Sequence, residues 1–266
     1  MRKYLVIISI VIVALTLPVI ANSQGCMGAL LWTINGTMLS AQGNYDEAIQ
    51  HFDKAIMLCP QYANAWNFKG NALIKLGKYD EAVKCFDNAT NINPQEATFW
   101  IDKGGALDKL GKYDEAIQAF DKAIEINPQY AGAWNDKGDA LIGQGKYDEA
   151  IQAFDKAIEI NPQYAVAWSN KGDALTGQGK YDEAIQACDK AIEIDPQYAY
   201  AWSNKGDALT GQGKYDEAIQ ACDKAIEIDP HDAWAWENKG NALNHLGRTA
   251  EANKAFDNAR ELGYKG

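Results

Sequence analysis

The chain has 266 residues, 47% of them hydrophobic, and sets 36 acidic side chains against 25 basic ones for a formal charge of −11. An acid excess of that size repels nucleic acid and anionic membrane surfaces and steers cationic partners in. Five cysteines, an odd number, leave at least one thiol unpaired and make a poor disulfide framework.

Arg2 and Lys3 precede an apolar run from Tyr4 to Leu17, followed by Pro18 and the small residues Ala21, Asn22 and Ser23. A basic start, an apolar middle and a small-residue exit make residues 1–23 a secretory signal peptide, cut after Ala21 or Ser23. Tyr4 to Ala21 is also long enough to span a bilayer, so an uncleaved membrane anchor is the alternative. Lipidation of Cys26 is a third option, although Ser23-Gln24-Gly25 lacks the large aliphatic residue such a site usually shows. In each case the rest of the chain is expected to be extracytoplasmic, secreted or held in the cell envelope. Cleavage would remove two positive charges and take −11 to −13. Residues 24–28 read as a short linker.

From residue 29 one text of 34 residues recurs, marked by Trp32, Trp66, Trp100, Trp134, Trp168, Trp202 and Trp236. The seven repeats span 29–62, 63–96, 97–130, 131–164, 165–198, 199–232 and 233–266. A period of this length means stacked copies of a small unit that cannot bury its own apolar face alone. The fourth repeat shows the unit. Trp134, Gly138, Ala140 and Leu141 fall on one helical stripe that stops at Gly145, a natural C-terminal cap. Asp148 and Glu149 then open a second helix, where its dipole favours negative charge. Ala150, Ile151, Phe154, Ala157, Ile158 and Ile160 face inward before Pro162, which lacks the amide hydrogen needed to continue. With no β-rich segment anywhere, the expected fold is all-α, a solenoid of helix–turn–helix units.

Trp134, Gly138, Tyr147, Ala150, Phe154, Ala157 and Pro162 stand where the tetratricopeptide repeat (TPR) has its signature, and all seven repeats follow it. The chain therefore resembles a TPR protein. That resemblance implies a right-handed superhelix whose first helices line a concave groove for an extended peptide or partner helix. Two departures matter. Lysine replaces the leucine before the glycine at Lys69, Lys103, Lys137, Lys171, Lys205 and Lys239, where the stem is expected to lie along the neighbouring Trp. Cys188 and Cys222 replace Phe in repeats five and six, which should loosen those layers. Repeats five and six differ only at Val166/Tyr200, Gln197/His231 and Tyr198/Asp232, which argues against one hidden catalytic residue in either.

By the same resemblance, the groove takes side chains from the second, fifth, sixth, ninth, twelfth and thirteenth places of each repeat. Those places hold Asn135, Asp136, Asp139, Ile142, Ser169, Asn170, Asp173, Thr176, Ser203, Asn204, Asp207 and Thr210 in repeats four to six. Repeat seven adds Glu237, Asn238, Asn241 and Asn244. Amides both donate to and accept from a peptide backbone, and the aspartates favour a basic partner. The expected contact row is Asn135, Asp139, Asn170, Asp173, Asn204, Asp207, Asn238 and Asn241, with Tyr200 and Trp234 as candidate aromatic anchors. Family members that clamp acidic tails do so with Lys and Arg, and only Lys75 and Lys109 stand at such places here.

No constellation for catalysis emerges. His51, His231 and His245 fall at unrelated places of their repeats and do not converge with cysteine as a zinc site requires. No strand is available to precede a phosphate loop. The expectation is a non-enzymatic scaffold without metal or cofactor, binding a basic or neutral protein or peptide and not nucleic acid. Its rival is an envelope assembly component that self-associates through its terminal repeats, where Leu30, Leu31, Ile34 and Met38 crowd the first helix.

Overall fold

The computed structural model describes residues 26–264, so the expected signal or anchor of residues 1–23 lies outside the described residues. Helix α1 covers residues 26–41, which places 26–28 in a helix and not in the expected linker. The later first helices are α3 (Ala63–Lys75), α5 (Ala97–Lys109), α7 (Ala131–Gly143), α9 (Ala165–Gly177), α11 (Ala199–Gly211) and α13 (Ala233–His245). The second helices are α2 (Tyr45–Leu58), α4 (Tyr79–Ile92), α6 (Tyr113–Ile126), α8 (Tyr147–Ile160), α10 (Tyr181–Ile194), α12 (Tyr215–Ile228) and α14 (Thr249–Glu261).

Local chemistry sets these boundaries. Gly145 has φ +72°, a left-handed conformation that L side chains resist, and it reverses the chain between α7 and α8. Tyr147, Asp148 and Glu149 then bring two acids into the first turn of α8. The helix ends at Ile160, with Asn161 as its cap just before Pro162.

Two compact units result, Met1–Asn127 and Pro128–Gly266. In each, a second helix packs against its own first helix and against the first helix of the next repeat. The first helices also touch one another from repeat to repeat, α3 with α5 in one unit and α7, α9, α11 and α13 in series in the other. The second helices make no such mutual contacts among the described residues, so the first helices form the tighter layer.

Small residues make that layering possible. A Cβ added at Gly104 would lie 2.5 Å from the ring of Phe120, which is itself buried to 1% exposure. Ala106, Ala116, Ala119 and Ala123 surround the same layer, all buried. Burying a Phe side chain contributes about 2–3 kcal/mol, repeated at Phe52, Phe86 and Phe154. In repeats five and six Cys188 and Cys222 take the same place, fully buried, with their Sγ atoms over Gly172 and Gly206.

The substituted lysines join neighbouring repeats. Lys171 holds its amine 5.7 Å from the centre of the Trp168 ring, as its stem-on-Trp placement anticipates. The same amine pairs with Asp155 of the preceding second helix at 2.6 Å, a partner the sequence did not announce. Lys69–Asp53, Lys103–Asp87, Lys205–Asp189 and Lys239–Asp223 repeat the arrangement. Partly exposed pairs of this kind contribute about 0.2–1 kcal/mol each.

The cysteine reading needs correction, because Cys26 and Cys59 form a disulfide with Cα atoms 5.0 Å apart. Helices α1 and α2 run antiparallel, which brings the start of one to the end of the other. Cys26 is thus a cross-link in this structure. Cys85, Cys188 and Cys222 are buried free thiols.

Candidate functional site

The free face of the first helices carries the side chains expected to contact a partner, and it is best followed in Pro128–Gly266. The face is an amide ladder whose rungs change chemistry along the chain. In repeat four the Asn135 amide lies 3.3 Å from Asp136 and 3.4 Å from Asp139. Asn170, one repeat on, donates to Asp139 at 2.8 Å and to the Asn135 carbonyl at 3.2 Å. Asp139 is therefore held by amide hydrogens.

One repeat later that support is gone. Serine replaces Asn135 at Ser169 and Ser203, and both serines are fully buried. The shorter side chain lets the following amide sink inward. Asn204 donates to the Ser169 hydroxyl at 3.1 Å and to its carbonyl at 3.3 Å, and Asn238 donates to the Ser203 carbonyl at 3.3 Å. Both amides are buried, Asn238 to 2% exposure. Asp173 and Asp207, which occupy the place of Asp139, are left half-buried with no hydrogen bond or ion pair among the described residues.

Their protonation reflects this. Burial pushes the Asp173 carboxyl above its usual range. Burial and then the charge of Asp173 push Asp207 up to about 6. A partly desolvated anion without a donor is a costly arrangement that a cation would relieve. Tyr198 and Tyr164 stand along the same row, their hydroxyls pushed up by burial and next by nearby charge, Asp139 for the first and Asp136 with Asp139 for the second.

The sequence-expected contact row thus divides. Asn135, Asn204 and Asn238 are buried. Asp139 and Asn170 are half-buried and bonded to each other, whereas Asp173 and Asp207 remain available and Asn241 is half-buried. Tyr200 is 57% exposed and Trp234 half-buried. In Met1–Asn127 the equivalent face behaves like repeat four. Asn67 and Asn71 both donate to Asp102, at 2.9 and 3.0 Å, and these bonds counter the upward push of burial.

His51 packs edge-on against Trp32 at 4.8 Å and His245 stacks on Tyr215 at 4.8 Å, both in packing roles. Among the described residues no group of three or more His, Cys, Asp or Glu converges as a metal site, and no helix is long and apolar enough to cross a membrane.

Stacked helix pairs with an amide and carboxylate face define a helical-repeat interaction scaffold. Models of the tetratricopeptide repeat match residues 69–131, 135–199, 199–232 and 221–252, and a TPR repeat model matches 36–68. The chain belongs to the tetratricopeptide-repeat family. A search of curated proteins finds no match. Among solved structures, a tetratricopeptide repeat protein from Parabacteroides merdae superposes with a TM-score of 0.78 at 19% identity, covering 90% of this chain and 94% of that one. MamA gives 0.57 at 27% identity over 62% of this chain and 96% of its own. YrrB, described as a TPR protein with an unusual peptide-binding site, gives 0.52 at 26% identity over 69% of this chain and 95% of its own.

Proposed function

We propose that this protein is a non-catalytic, extracytoplasmic scaffold that holds an extended basic segment of a partner protein in a groove along its first helices. The observation that carries the reading is the pair Asp173 and Asp207, half-buried carboxylates without donors on adjacent repeats. A lysine or arginine laid across them would supply the missing countercharge. The overall charge of −11 would speed its arrival, and the peptide-binding description of YrrB supports a peptide ligand. Export is supported by the signal-like residues 1–23 and by the Cys26–Cys59 disulfide, a bond favoured in oxidising compartments.

The test is titration of the full chain with extended peptides of matched length and varied charge, alongside a variant carrying Asp139→Lys, Asp173→Lys and Asp207→Lys. Saturable binding of basic peptides that the variant loses is expected. Equal binding by both proteins would remove the groove reading.

A second reading, assembly through the array's end, rests on α1. Met27, Leu31, Ile34 and Met38 form an exposed apolar stripe, with Leu31 at 62% and Met38 at 58% exposure. Concentration-dependent polymers in sedimentation, without peptide binding, would favour it.

A further inference from the structure

Repeats five and six are identical at every position but three, where Val166, Gln197 and Tyr198 become Tyr200, His231 and Asp232. The fold gathers all three altered residues around one cavity of about 540 Å³, walled also by Trp234, Tyr264 and Asp229. The copies diverge only where this space is made.

Asp232 does most of the making. In the other loops of this unit a tyrosine precedes the first helix, as Tyr164 and Tyr198 do, with no side-chain cap. The carboxylate of Asp232 instead turns inward, accepting from the amides of Trp234 at 3.0 Å and Ala235 at 3.1 Å and from the Ser203 hydroxyl at 2.6 Å. This fixes the backbone that carries Trp234, with a short carboxylate where Tyr164 and Tyr198 stand in the preceding repeats. Tyr264 stands 5.9 Å from Trp234 at a 46° tilt, and Tyr200 is braced by Tyr198 at 6.3 Å. Three aromatic residues therefore border a cavity that no Lys or Arg lines among the described residues, and Asp229, whose carboxylate accepts from the His231 amide at 2.9 Å, stands on its wall. The cavity lies beside the aspartate row, since the Tyr264 hydroxyl, pushed up mainly by burial, also senses Glu237 and Asp207.

Aromatic faces attract a cation that has shed part of its water, and a nearby carboxylate neutralises it. We propose that this cavity is a subsite for the arginine or lysine side chain of a basic partner segment, a reading that rests on the groove proposed above. The segment's remaining positive groups run along Asp207 and Asp173, and the terminal cation sits among Tyr200, Trp234 and Tyr264.

The experiment labels the full chain with 5-fluorotryptophan and assigns the Trp234 resonance by its loss in Trp234→Phe. The probes are an acetylated Gly-Arg-Gly amide, the same tripeptide with norleucine, and tetramethylammonium. The Trp234 resonance is expected to move saturably with the arginine tripeptide and not with norleucine. Tyr264→Ala, and Tyr200→Val, which restores the residue of repeat five, should each weaken binding by about tenfold, between the exposed and the fully desolvated value of one cation–aromatic contact. Equal response to norleucine, or unchanged affinity in both variants, would overturn the proposal. A response to tetramethylammonium alone would also overturn it, in favour of a small quaternary ammonium ligand. The groove stands or falls separately. A long basic peptide that tolerates Tyr264→Ala and Tyr200→Val but not Asp173→Lys with Asp207→Lys keeps the groove and removes the subsite. A tripeptide response without any long-peptide binding does the reverse.

Discussion

Asp207→Asn should stabilise the protein at neutral pH while weakening its hold on a basic ligand. Burial, and next the charge of Asp173, push the native carboxyl up to about 6 from the usual aspartate range. A raised native pKa means that the folded state binds more protons than the unfolded one between roughly pH 4 and 6. Stability therefore falls as pH rises through that window, and the full penalty is present above it. A rise of that size sets a ceiling of about 3 kcal/mol. Partial solvent access reduces the expected gain to about 1–2 kcal/mol. Asparagine keeps the shape, removes the charge and relieves Asp173. Urea unfolding of wild type and variant at pH 7.5 and pH 3.5, with amide exchange in α11 as the local readout, measures the effect. The variant should gain at pH 7.5 and lose most of that advantage at pH 3.5. A variant no more stable than wild type at pH 7.5 would refute the view that Asp207 is an uncompensated anion.

Gly104→Ala should cost about 1–3 kcal/mol, because its Cβ would meet the buried Phe120 ring at 2.5 Å, and a thermal melt would show the loss. Cys26→Ser should destabilise the first repeat by about 3–4 kcal/mol on the chain-entropy estimate for a 33-residue separation, seen as earlier amide exchange in α1 and α2. The thiols of Cys85, Cys188 and Cys222 are pushed up by burial to about 11, 12 and 12, so a disulfide reagent at pH 8 should modify them only after unfolding. Amide exchange should be faster in α10 and α12 than in α6 and α8, because a sulfur replaces an aromatic ring at Cys188 and Cys222; equal protection would show that the smaller core is fully repacked.

Much of the fold is legible in the sequence because its determinants are local and repeated. Gly145 needs its positive φ, Pro162 stops a helix, and the Trp period sets the stack. The site is only half legible. Family positions identify the helix face, but whether an amide there points outward depends on the residue one repeat earlier. Asn170 stays on the face because Asn135 is long enough to meet it, whereas Asn204 sinks onto Ser169. The Cys26–Cys59 bond is not legible in the repeat pattern, since it links the start of one helix to the end of the next within a single helix pair. Asp232 reads in sequence as a lost tyrosine, and only the loop geometry reveals a cap.

The lysine–aspartate links have a consequence for how such a protein can change length. Each lysine reaches the aspartate sixteen residues before it, so excising residues 165–198 would leave Lys205 facing Asp155 in place of Lys171, with the link intact. Asn204 would then inherit the place of Asn170 beside Asn135 and Asp139. Only the number of bare carboxylates would change, from two to one, and a further copy of the same repeat would raise it to three. The array thus behaves as a ruler whose graduations are negative charges, and copying or dropping one unit retunes its preference for basic chains without redesigning a single contact.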